Sequence, residues 1–151
     1  VYEKPDNLSS RGAFLVGSCL AGIAFLKGLG LVHAISHMVG AEYDTQHGLT
    51  NAVILPSVLK FNEKHINNKI NRIHFSQYSK PGDFVDFYKA TCNLLDELEI
   101  PKTLKEIGVG DDRFHELAVK ARKDSAAFTN PRDASIEEIE NLIGKVYSVG
   151  R

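Results

Sequence analysis

The chain has 151 residues, enough for one domain with a hydrophobic core. Its 18 Lys and Arg against 19 Asp and Glu leave a net charge of −1, and the basic residues are scattered. That excludes the electrostatic footprint of a nucleic-acid binder or a polybasic membrane anchor.

The start, "VYEKPDNLSS", carries no signal-peptide pattern and no initiator Met, and is read as the interior of a longer chain. Pro5, Asp6 and Asn7 break structure, and Ser9 or Ser10 is positioned to cap a helix running from about Ser10 to Leu26. Between Gly12 and Leu26 there is no charge, and Lys27 alone interrupts the run to Val39. The length suits a membrane span. Lys27, two histidines and five glycines (Gly12, Gly17, Gly22, Gly28, Gly30) favour instead a central helix buried on all sides of a helical domain. Cys19 on this helix, and Cys92 far downstream, read as reduced core residues of a cytosolic protein, not as a disulfide.

Gly28 and Gly30 punctuate the chain, and a second helix covers roughly Leu31 to Gly40. "EYDTQHG" reads as a short turn. "HGLTNAVILPSVLKFN" is an apolar helix that Pro56 kinks unless it lies near the start. "EKHINNKINRIHFSQ" is a separate polar helix with Ile66, Ile70 and Ile73 on one face. "PGDFVDFYKATCNLLDELEI" opens with Pro81 and an Asp83 cap, then places Phe84, Phe87, Tyr88, Cys92, Leu94, Leu95 and Leu98 at helical spacing. "PKTLKEIGVG" is a connector with one short turn. "DDRFHELAVKARKDSAAF" runs from acidic caps to basic residues, the order a helix dipole favours. In the last segment Ser135 and Glu138 form a capping box before a final helix. No stretch alternates as a strand does, so the fold class is all-α, with about seven helices in one domain spanning residues 1–151.

Three of the six histidines, His33, His37 and His47, fall within "GLGLVHAISHMVGAEYDTQHG", which is otherwise mostly apolar. The spacing of four puts His33 and His37 on one helix face, and the following turn is short enough to return His47 to them. Imidazole is a common ligand for zinc, iron and related metals. A core histidine bonded to a carbonyl is the alternative, and spacing alone does not decide between them. "HAISH" lacks the glutamate of the HExxH motif. Glu42 and Asp44 read as solvated loop charges, and His65, His74 and His115 as surface residues.

The stretch "AFLKGLGLVHAISHMVGAEYDTQHGLTNAVILPSVLKFN", residues 24–62, resembles the second signature of the iron-containing (group III) alcohol dehydrogenases. "DSAAFTNPRDASIEEIENL" is similar to the family's Asn-Pro-Arg segment and last helix. The resemblance implies a two-domain enzyme whose first, α/β domain binds NAD or NADP and lies outside this sequence. The second domain is all-helical, with a divalent metal in the cleft, Fe2+ by family habit and Zn2+ as an alternative. By the same resemblance His33 and His47 are metal ligands, while His37 lines the site without being a direct ligand, as a proton relay or a contact on the nicotinamide side. Phe25 sits near the nicotinamide. The family's remaining Asp and His ligands belong upstream, and no Asp-x-x-x-His precedes His33 here.

Two departures stand out. Lys27 replaces a small or amide residue, and Gln46 replaces a proline, which implies a more flexible turn before His47. The implied activity is reversible conversion of a small alcohol to an aldehyde or ketone in the cytoplasm, with this chain alone inactive. No nucleic-acid or membrane partner is expected, and a homodimer is left open. A polyol or sugar-phosphate dehydrogenase, a dehydroquinate-synthase-like enzyme and a non-catalytic helical module are the rival readings.

Overall fold

The computed structural model describes residues 1–78 and 82–151, with side chains for 1–73 and 82–151. Pro81 and the side chain of His74 lie outside these. Six α-helices, and no strand among the described residues, make up the chain: α1 Leu8–Ala24, α2 Leu31–Tyr43, α3 His47–Tyr78, α4 Phe84–Glu97, α5 Phe114–Lys123 and α6 Ile136–Ser148. The all-α expectation is met, with six helices in place of seven. The two helices expected between residues 47 and 77 are one. Pro56 sits inside it, ten residues into α3 and fully buried, and nothing between Lys60 and Ile66 supplies a stop. Burial among the helices around it outweighs the one backbone hydrogen bond a proline removes.

The core gathers where α2, the first half of α3, α5 and α6 meet. α2 buries Leu31, Ala34, Ile35 and Val39 on one face, at the three- and four-residue spacing of a helical stripe. Against it pack Val53, Ile54 and Val58 of α3, Leu117, Ala118 and Ala121 of α5, and Ile139, Ile143 and Val146 of α6. Leu104, in the connector before α5, closes the far end and donates its amide to the Val146 carbonyl. The distal half of α3 lies against α4, where Ile70, Phe84 and Leu95 are buried outside the main cluster. Leu94 and Leu98, expected on the apolar face of α4, are exposed.

Caps set the helix starts. Asn7 caps α1 by accepting from the Ser10 amide, so that helix starts two residues ahead of the expected Ser10. Asp83 caps α4 through the Asp86 amide. Ser135 and Glu138 form the expected capping box of α6. α5 is the exception: Arg113 precedes it without a side-chain cap, and Asp111 and Asp112 stay outside the helix.

α1 departs from expectation most. It is not buried among other helices: none of its residues is buried, and Phe14, Leu15, Val16, Leu20 and Ile23 are exposed. Together with the following turn, as Leu8–Lys27, it is long and apolar enough to cross a membrane by length and composition alone. The small and apolar residues that suggested a central helix are present, but no described element covers them. Cys19 on α1 is accordingly exposed and Cys92 half-buried, both as free thiols and neither in the core.

Candidate functional site

Site construction starts at the entry to α2. After a single 3-10 turn at Phe25–Lys27, Gly28 and Gly30 take positive φ angles of 99° and 80°. A Cβ at Gly28 would stand 2.3 Å from Cβ of Thr129, so this position needs glycine for space as well as for conformation. The Thr129 hydroxyl oxygen accepts from the Leu29 and Gly30 amides, and Asn130 Oδ1 from the Leu31 amide. Three amides at the start of α2, which has no side-chain cap of its own, are thereby satisfied from a loop about a hundred residues away. Asn130 is itself held by reciprocal amide bonds to Asn62 of α3, both 2.9 Å. The "TNPR" segment thus fixes where α2 begins and which way it faces.

Along α2, His33 and His37 emerge half-buried beside the core stripe, and the turn 44–46 returns the chain so that His47 opens α3. Asp44 ends α2 in the left-handed conformation. In the turn, Gln46 Oε1 accepts from the Leu49 amide, and the Thr50 hydroxyl donates to Thr45 Oγ1 at 2.7 Å. These bonds seat the first turn of α3 and with it His47.

All three rings meet. Centroids are 5.9 Å apart for His33 and His37, 5.3 Å for His33 and His47, and 5.5 Å for His37 and His47. Asn51, one turn into α3, places its side-chain nitrogen 3.0 Å from His47 Nε2 and 3.3 Å from His33 Nε2. His47 Nδ1 lies 3.1 Å from Ser36 Oγ, a buried hydroxyl on α2. His37 Nδ1 lies 3.1 Å from Asp124 Oδ2, whose other oxygen accepts from the Ala126 amide. The Phe25 ring, itself exposed, stands edge-on to His33 at 5.7 Å. Every sequence candidate, Phe25, His33, His37 and His47, therefore lies in one cluster.

Burial, then the neighbouring imidazoles of His47 and His37, lower the His33 pKa below its ordinary 6.5, so the ring is neutral near pH 7. Imidazole Nε2 atoms gathered in this way are donors that a divalent metal accepts. Two donors do not close a site. Among the described residues no group of three or more His, Cys, Asp or Glu is arranged to hold a metal ion.

Glu42 lies within α2, not in the loop, and pairs with Arg113 and Lys120 away from the rings. Asp44 is exposed, as expected, and so are His65 and His115, the latter paired with Glu140. Asn51, Ser36, Asp124, Thr129 and Asn130 were given no role at the site from the sequence, although Asn51 lies in the 24–62 signature and Asn130 in the Asn-Pro-Arg segment. Asn51 alone left a local trace, standing four residues after His47 on the same helix face.

Residues 1–147 match the model of the Fe-containing alcohol dehydrogenase family, C-terminal. The chain belongs to the iron-containing alcohol dehydrogenase family. Among relatives of this family, the probable alcohol dehydrogenase EutG of Escherichia coli (strain K12) is 36% identical over 137 residues, 90% of this chain and 35% of EutG. The 1,3-propanediol dehydrogenase of Citrobacter freundii is 34% identical, over 94% of this chain and 38% of that protein. The crystal structure of a 1,3-propanediol oxidoreductase superposes with a TM-score of 0.84 at 33% identity, covering 94% of this chain and 39% of that one. The chain thus spans a little over a third of the length of these iron-containing alcohol dehydrogenase relatives.

Proposed function

We propose that this chain is the metal-holding C-terminal domain of an NAD(P)-dependent alcohol dehydrogenase that interconverts a small alcohol with its aldehyde or ketone. One observation carries the reading: in a chain of this family, Nε2 of His33 and Nε2 of His47 come together on the Asn51 side-chain nitrogen, at 3.3 and 3.0 Å. Relatives are named for propanediol, butanol and lactaldehyde, which supports a small alcohol or aldehyde as substrate.

His33 and His47 would hold the metal, Fe2+ by family habit or Zn2+, through neutral imidazole nitrogens. The Ser36 hydroxyl orients the His47 ring from its far side, as a ligand's second nitrogen requires. When bound, the metal supplies Lewis acidity toward the substrate oxygen, and the nicotinamide accepts the hydride. His37 handles the proton. The Asp124 carboxylate accepts from its Nδ1–H, which leaves Nε2 free to take a proton from the alcohol. Phe25 offers an exposed apolar ring beside His33, suited to the nicotinamide side of the cleft.

The remaining Asp and His ligands fall to a helix upstream of these residues, and the nucleotide site to an N-terminal α/β domain of the parent polypeptide. The enzyme is cytoplasmic and acts on neither nucleic acid nor membrane. In the longer polypeptide carrying this domain, His47→Ala abolishes metal retention and turnover together, read by metal analysis and by NAD(P)H absorbance. Undiminished metal content in that variant would overturn the assignment of His47.

A further inference from the structure

The two metal-facing nitrogens share one partner, and that partner is a donor. Asn51 Nδ2 carries two hydrogens and stands 3.0 Å from His47 Nε2 and 3.3 Å from His33 Nε2. We propose that Asn51 is the positioning residue of the pair: by donating one N–H to each ring it fixes both Nε2 atoms as lone-pair carriers aimed at one point. Each neutral ring then keeps its proton on Nδ1. For His47 that proton is donated to Ser36 Oγ.

The opposite orientation of the amide is the costlier one. As it stands, Asn51 leaves one buried atom, Oδ1, without a partner. Turned over, its two N–H groups would be buried there, and unmet donors are rarer in proteins than an undersatisfied carbonyl.

The consequence for metal capture rests on the function proposed above. A metal bonds histidine nitrogen at about 2.0–2.1 Å. Metal held by both rings would take the two Nε2 lone pairs that Asn51 Nδ2 meets in the metal-free chain, so Asn51 would give up both contacts. Asn51 keeps the metal-free pair in the tautomer that binds, so capture needs no proton to cross either ring.

Metal-free protein labelled with 15N-histidine tests this by NMR, with each ring assigned from the His33→Gln and His47→Gln spectra. The expected result is an unprotonated Nε2 and a protonated Nδ1 on both rings. Asn51→Asp, which presents only acceptors, moves the proton to Nε2 on both, and Asn51→Leu lets each ring populate both tautomers. An Nε2–H on either ring of the unaltered protein overturns the proposal, and that spectrum does not depend on any Asn51 variant folding. Tautomers unchanged in both Asn51 variants, with the native spectrum otherwise preserved, overturn it as well. Metal retained by His47→Ala would instead sink the metal reading and leave the tautomer result standing on its own spectrum.

Discussion

His37 and Asp124 illustrate how much one side chain's role depends on a single distant contact. His37 shares its helix face with His33, yet its Nδ1 is held by a carboxylate from beyond the end of α5. A ring held in that way has one tautomer and one free nitrogen, the arrangement a proton carrier needs. For the intact enzyme, His37→Gln is expected to lower kcat by about 10²- to 10⁴-fold while metal content stays at the wild-type level. Loss of the metal along with activity would make His37 a ligand instead. His33 gives a second test at this scale, on the metal-free chain. Its folded pKa lies below the unfolded 6.5 because burial and two neighbouring imidazoles oppose its charge. As pH falls below 6.5 the unfolded chain binds a proton that the folded chain resists, so stability drops across that window and levels off below the folded value. Above 6.5 the contribution is complete. Urea midpoints measured from pH 7.5 down to pH 5 should therefore fall less steeply in His33→Gln than in the unaltered chain.

The helix ends decide where the elements sit. α2 holds two of the three clustered histidines, and its start is secured from outside by Thr129 and Asn130 over a glycine that no other residue can replace. Gly28→Ala forces a Cβ into Thr129 at a positive φ, and is expected to cost more than about 1 kcal/mol in urea denaturation. It should also broaden the His33 and His37 resonances, since the helix that aims them shifts. A midpoint equal to wild type would show that the entry to α2 is less constrained than its contacts imply. This is also where the sequence was most and least informative. The Ser135–Glu138 box and the His33–His37 face were legible because both are local, three or four residues apart on one helix. The 32-residue span of α3 was not, because Pro56 is a local stop signal overruled by burial. Nor were the partners of the site: Asp124, Thr129 and Asn130 meet α2 across 87 to 100 residues of chain, and no periodicity encodes that.

For the molecule as a whole, α1 is the anomaly. Its composition is that of an interior helix and its environment is solvent, with Phe14, Leu15, Leu20 and Ile23 all more than half exposed. An apolar surface of that kind seeks cover. Purified alone, the 151-residue chain is expected to self-associate and to show no alcohol turnover with NAD or NADP. Replacing Leu15 and Leu20 with glutamine should restore a monomer in analytical ultracentrifugation without restoring turnover. Activity of the isolated chain would mean that the cluster is complete by itself. The resemblance in residues 24–62 was enough to name the family, and the cluster of His33, His37 and His47 follows from it. The exposure of α1 could not be read from the sequence, because an apolar helix has the same composition whether or not its cover is present.

Synthesis order adds one more consequence. Thr129 and Asn130, which anchor the beginning of the histidine helix, leave the ribosome about a hundred residues after the glycines they clasp. Until they emerge, nothing pins that helix start, and a nascent polypeptide halted before position 129 has all three imidazoles but no fixed frame for them. Assembly of the cluster therefore waits in translation for residues 129 and 130.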